Sequence, residues 1–242
     1  MRKILFSLSV ILLLCFPVNA QEYDYCAGAS GAADPCANRG TAALYYNVDH
    51  TAGNTTACIS GGTTTVTLTN AAASTAQNHT TGGANSVLHE AGAKEYISVA
   101  VTGKNYFDSA EGMVTVWYYV AETTGANYLF RISIDASNKL ITNVNASRTV
   151  SLNHVGQASD VAKTSTSTIT DGQWNQIDIR WSVSNNQIAI RINGGSWEVD
   201  TDGDAVTAFA TEPSAVQIGV PLANVVDTYY TDDIYLYTTS GI

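Results

Sequence analysis

The chain has 242 residues, 45% of them hydrophobic, with 11 basic against 21 acidic side chains and a formal net charge of −10. That charge excludes the basic footprint that nucleic acid or an anionic membrane surface requires. The length suits one large all-β domain or two small ones and is enough to bury a core.

Residues 1–20 read as a secretory leader. "MRK" is the positive start, "ILFSLSVILLLCF" the apolar run, and "PVNA" a small-residue cleavage pattern ending at Ala20. The run is shorter than the roughly 20 residues of a membrane span. Cys15 follows Leu14, whereas a lipoprotein signal wants a small residue there. The expected product is a secreted, extracellular protein of bacterial type that begins at Gln21. It keeps Cys26, Cys36 and Cys58. Export permits disulfides, and three thiols allow either one bridge with a free thiol or an intermolecular bridge.

Residues 21–82 are rich in Thr, Ala and Gly, and only "ALYYNV" and "TTTVTLT" have strand composition. This segment is expected to contribute edge strands. From residue 83 to 242 strands recur between turns: "EYISVAV", "MVTVWYYV", "NYLFRISID", "NKLITNVN", "WNQIDIRWSV", "NQIAIRING", "SWEVD", "AVQIGV" and "TYYTDDIYLY". In "IDIRW", Ile177, Ile179 and Trp181 share one face while Asp178 and Arg180 share the other; Ile188, Ile190 and Ile192 repeat the pattern. Period-two runs bounded by Gly, Asn and Asp predict an antiparallel sandwich or barrel.

The segments "EGMVTVWYYV", "DGQWNQIDIRWSVSNNQIAIRINGG" and "DDIYLY", in that order, resemble the laminin-G-like branch of the concanavalin A-like lectin/glucanase superfamily. The resemblance covers about residues 83–240. It implies an all-β jelly-roll sandwich of two curved antiparallel sheets, 83–242, with the 21–82 segment ahead of it.

Catalytic patterns are few. There is no G-x-S-x-G elbow, and "HEAGA" at His89 lacks the second histidine of a zincin. "EVDTD" places Glu198, Asp200 and Asp202 at alternate positions, so a straight strand would show all three on one face. Glycosidases need two such carboxylates, about 5–5.5 Å apart when retaining. The glucanases of the resembled superfamily carry their motif on a mid-domain strand, whereas this cluster follows the "INGG" hairpin, so it reads as a solvated strand edge.

Trp174, at the resembled Gly-x-Trp position, and Trp181 are assigned to the core. Trp117 and Tyr119 share the polar-aromatic face of "MVTVWYYV". Together with Arg131, Asp178 and Arg180, they are the candidate ligand-binding residues of a groove suited to a glycan, with rings for stacking and charged groups for hydroxyls. In "YYTDDIYLY", alternation puts Asp232 in phase with Ile234 and Leu236, at the start of the core face, where a bulge could keep it wet. Asp233 falls on the outer face. The resemblance implies that Asp233 ligates a structural calcium ion.

These readings converge on a secreted, non-catalytic β-sandwich module that binds extracellular glycan or a protein partner. The alternative is a self-associating subunit of an extracellular sheath, surface layer or filament, which the odd cysteine and the Thr/Ala/Gly-rich segment suggest. A third reading is a glycan hydrolase using Glu198 with Asp200 or Asp202.

Overall fold

The computed structural model describes residues 42, 44–46, 56–59, 62–79, 85–92, 94–101, 111–133, 139–155, 161–182, 185, 187–200, 213–219 and 226–238. The leader, Cys26, Cys36 and Asp202 lie outside them, and Cys58 is described in its backbone alone. Contacts divide the chain into residues 1–33, outside the described residues, and a compact unit of residues 34–242.

The strands are β1 (Leu44–Tyr46), β2 (Thr56–Ile59), β3 (Gly62–Thr65), β4 (Thr67–Thr69), β5 (Ala72–Ser74), β6 (Ser86–His89), β7 (Tyr96–Ala100), β8 (Glu111–Val120) and β9 (Asn127–Ser133). They continue as β10 (Lys139–Val144), β11 (Thr149–Val155), β12 (Val161–Thr168), β13 (Trp174–Ser182), β14 (Gln187–Ile192), β15 (Glu198–Asp200), β16 (Ala215–Gly219) and β17 (Tyr229–Tyr237). No helix occurs among the described residues. The protein is an all-β jelly-roll sandwich of two antiparallel sheets.

The first sheet runs β15-β14-β13-β8-β17-β1-β2-β3, with β6 and β5 as a branch from β17. The second runs β12-β11-β10-β9-β16-β7-β4. Strands before residue 83 enter both sheets: β1 lies between β17 and β2, and β4 edges the second sheet.

Alternation sets the core. On β8, Val114, Val116, Tyr118 and Val120 point inward; on β13, Ile177, Ile179 and Trp181 do. They meet Ile97, Val99, Leu129, Phe130, Ile132, Val216 and Ile218 of the second sheet. Each buried large apolar side chain contributes roughly 1.5–3 kcal/mol relative to exposure. Trp181 is fully buried, as its phase predicts. After β14 the chain turns at Asn193 and Gly194, both at positive φ (51° and 69°), and Gly195 N–H donates to the Ile192 carbonyl at 3.0 Å. This is the Asn-Gly geometry that suits the twist of a hairpin.

Candidate functional site

The two adjacent aspartates mark a break in β17. Upstream of it, Tyr229, Tyr230 and Thr231 pair with His89, Leu88 and Val87 of β6. Downstream, Ile234, Tyr235 and Leu236 pair with Tyr46, Tyr45 and Leu44 of β1. On the other edge, Asp232 stands opposite Trp117 but Tyr235 opposite Thr115, so β17 carries one extra residue. Such a bulge needs an unusual backbone, and Asp233 sits at φ 43°. Aspartate tolerates this region better than most residues.

The bulge corrects the alternation expected from sequence. A straight strand puts Asp232 in phase with Ile234; the extra residue instead places it beside Trp117, on the face turned away from the core. Both carboxylates then gather partners there. Tyr45 Oη donates to Asp233 Oδ1 at 2.5 Å. His79 donates twice, from its backbone N–H to Asp232 Oδ2 at 3.1 Å and from ring Nδ1 to Asp233 Oδ2 at 2.7 Å. The Asp233 N–H closes on Asp232 Oδ1 at 2.9 Å. Adjacent aspartates in a strand thus serve as acceptors where two pairing partners, β6 and β1, meet.

Around this knot lies a cluster of rings. His79 stacks on Trp117, with centroids 3.6 Å apart and planes at 19°. Its edge meets Trp174 at 5.6 Å. Tyr119 lies 5.6 Å from Trp174 and 6.0 Å from Tyr230. All five rings are half-buried. Trp174, assigned to the core from sequence, is therefore an outer-face residue. It pairs with Tyr119 and shares its phase with Gln176 and Asp178, opposite to Ile177 and Ile179. That parity was the signal available in the sequence; nothing local pointed to His79 or Tyr230.

Further along the same face, Asp178 is fully buried and saturated. Arg191 reaches Oδ2 through Nε and a terminal nitrogen, each at 2.7 Å. Thr115 donates to Oδ1 at 2.6 Å, and Gln176 Nε2 approaches both oxygens at 3.0 and 3.2 Å. Arg180 and Arg191 both lie against the Trp197 ring, at 4.1 and 4.4 Å from its centroid.

No family model matches the chain, and no curated protein matches it. Solved structures do. Domain 4 of AbnA, a GH43 extracellular arabinanase from Geobacillus stearothermophilus, solved in complex with arabinotriose, superposes with a TM-score of 0.61 at 15% identity; the match covers 83% of this chain and 93% of that one. The binding domain of botulinum neurotoxin DC in complex with rat synaptotagmin II gives 0.60 at 9% identity, covering 83% and 48%. The Trypanosoma rangeli sialidase gives 0.59 at 14% identity, covering 83% and 31%. The likeness is one of fold. This chain spans about half of the toxin domain and a third of the sialidase.

Of the five candidate ligand residues, the first sheet carries four: Trp117, Tyr119, Asp178 and Arg180. Arg131 is on β9 in the second sheet, where its terminal nitrogen donates to Gln217. It does not join the others, because identical outward phase on two strands does not put them in one sheet. Glu198 is also engaged: it accepts from Thr166 N–H at 2.6 Å, Thr166 Oγ1 at 3.0 Å and Ser167 N–H at 2.9 Å, linking β15 to β12. Burial pushes its carboxyl upward, but these hydrogen bonds outweigh it and leave it below the usual range. A glycosidase acid is tuned the other way.

Among the described residues no group of three or more His, Cys, Asp or Glu is placed to hold a metal ion. Calcium takes six to eight oxygen ligands. At Asp233 one oxygen accepts from Tyr45 and the other from a ring nitrogen, and these donors do not make a calcium cage.

Proposed function

We propose that this protein is a secreted, non-catalytic module that binds an extracellular glycan on the outer face of its first sheet. The observation that carries this reading is the cluster of Trp174, Tyr119, Tyr230 and Trp117, half-exposed rings held at fixed angles on a rigid sheet. Flat rings with partly exposed faces and polar neighbours are what sugar rings stack against, and aromatic rings lose little conformational entropy on binding. The arabinanase domain of similar fold, solved in complex with arabinotriose, adds support by analogy. The motif order supports the laminin-G-like branch as the finer placement.

The test is an array of plant, algal and bacterial polysaccharides probed with the mature protein, alongside Trp174→Ala and Tyr119→Ala. Binding to at least one glycan, weakened by both substitutions with little change in melting temperature, is expected. Silence across the array would overturn the reading. A protein partner is the alternative, and the similar toxin domain was solved with one; capture of a partner that both substitutions leave intact would point to another surface.

A further inference from the structure

Among the described residues, Arg180 is a buried cation without a counter-ion. It is 8% exposed, and its Nε is buried with no hydrogen-bond partner. Among the described residues its guanidinium donates no hydrogen bond and forms no ion pair. The carboxylates nearest along the sheet are spoken for. Asp178, two residues earlier on β13, is filled by Arg191, Thr115 and Gln176. Glu111, on the neighbouring strand, accepts from Ser182 at 3.0 Å. Burial first, and then the charge on Arg191, pull the Arg180 pKa below its usual value.

Arg191 is taken up by Asp178, which leaves Arg180 with no carboxylate of its own among the described residues, in a protein whose net charge is −10. A buried charge is costly unless it is paired, and a guanidinium does not shed its proton. Stacking against Trp197 offsets part of the cost. Among the described residues the in-plane N–H groups find no acceptor, and their fork matches a carboxylate or a sulfate.

We propose that Arg180, beside Arg191 and Trp197, anchors a subsite for one oxyanion group of an acidic glycan, a carboxylate or a sulfate. The glycan part of this rests on the function proposed above. Arg180 and Trp174 lie on the same outer face of β13, six residues apart, which is roughly 20 Å of strand. An oligosaccharide lying along β13 from the aromatic cluster passes Gln176 and reaches Arg180. The overall negative charge of the protein makes non-specific attraction of such a ligand unfavourable, so binding would report the subsite itself.

The experiment is calorimetric titration of the wild type, Arg180→Met and Trp174→Ala with three probes: a short oligogalacturonate, its carboxyl-reduced neutral counterpart, and a sulfated galactan oligosaccharide. The wild type should bind an acidic probe roughly tenfold or more tighter than the neutral one. Arg180→Met should erase that difference while retaining the neutral affinity, and Trp174→Ala should weaken all binding. Whichever of the two acidic probes binds tighter identifies the oxyanion. Melting gives a second readout: sodium glucuronate should raise the melting temperature of the wild type more than that of Arg180→Met. Equal affinities for acidic and neutral probes, unchanged by Arg180→Met, overturn the oxyanion subsite and leave the glycan reading standing. No binding to any probe, with equal melting shifts in both proteins, also overturns the subsite, while the glycan reading is then decided by the array.

Discussion

His79 Nδ1 lies 2.7 Å from Asp233 Oδ2, joining residues 154 positions apart across the break in β17. The bond holds the segment ahead of β6 onto the strand it helps to interrupt, and Tyr45 holds the other oxygen from β1. Removing the carboxylate therefore loosens two neighbours at once. Asp233→Ala should cost about 3–6 kcal/mol in urea unfolding, the range for losing two charge-assisted hydrogen bonds. Asp233→Asn keeps the shape and should cost less. A cost near zero for both would show that the bulge is held by its backbone alone.

The same occupancy bears on calcium. Tyr45 and His79 each donate to one Asp233 oxygen and would compete with a cation for the carboxylate, so metal-stripped protein should melt at nearly the same temperature in calcium and in chelator. A ligand that binds only the native state raises stability by about 2.7 kcal/mol at a hundredfold excess over its Kd. A calcium-dependent rise that Asp233→Ala abolishes would return the ion to this position.

His89 is fully buried and stacked on Tyr229 at 4.6 Å. The Glu95 carbonyl can only accept, so Nδ1 carries the proton at 3.1 Å, and Nε2 takes the Thr231 hydroxyl at 2.9 Å. Burial lowers its pKa to about 4 from 6.5, although the Glu95 bond pulls upward. The folded pKa is depressed, so between pH 6.5 and 4 the unfolded chain binds a proton that the folded one refuses. Stability should fall as the pH drops through that window, by up to roughly 3 kcal/mol, and this residue adds no further loss below it. Urea unfolding at pH 7, 5.5 and 4 measures the slope; His89→Gln should flatten it.

Gly219 ends β16 at φ 101°, and a Cβ there would sit 2.4 Å from the Glu95 carbonyl oxygen and 2.5 Å from His89 Cε1. Neither neighbour can retreat, because both belong to the buried hydrogen-bonded pair. Gly219→Ala should destabilise by roughly 2–4 kcal/mol, combining backbone strain with overpacking. Normal melting of this variant would mean that the His89 ring has room to move.

Two tryptophans on one strand should separate packing from recognition. Trp181 is fully buried, and Trp181→Ala should cost about 3–5 kcal/mol. Trp174, half-buried among rings on the outer face, should cost less than half as much and lose ligand binding instead. Denaturant unfolding of both variants, with titration of Trp174→Ala, decides the matter.

The all-β architecture and the inward face of β13 and β14 follow from the sequence alone. Alternation is a local property of an extended backbone, so Ile177, Ile179 and Trp181 must share a side whatever they pack against. The Asn193-Gly194 turn is equally local. What the tertiary structure decided was non-local. The bulge at Asp232–Asp233 exists because β17 changes partner from β6 to β1 at that point, and it reverses the phase that a straight strand would keep. Arg131 and Arg180 have the same outward phase but stand on different sheets, since phase within a strand carries no information about which sheet the strand joins. His79 reaches its aspartate only because pairings between distant strands bring the two together.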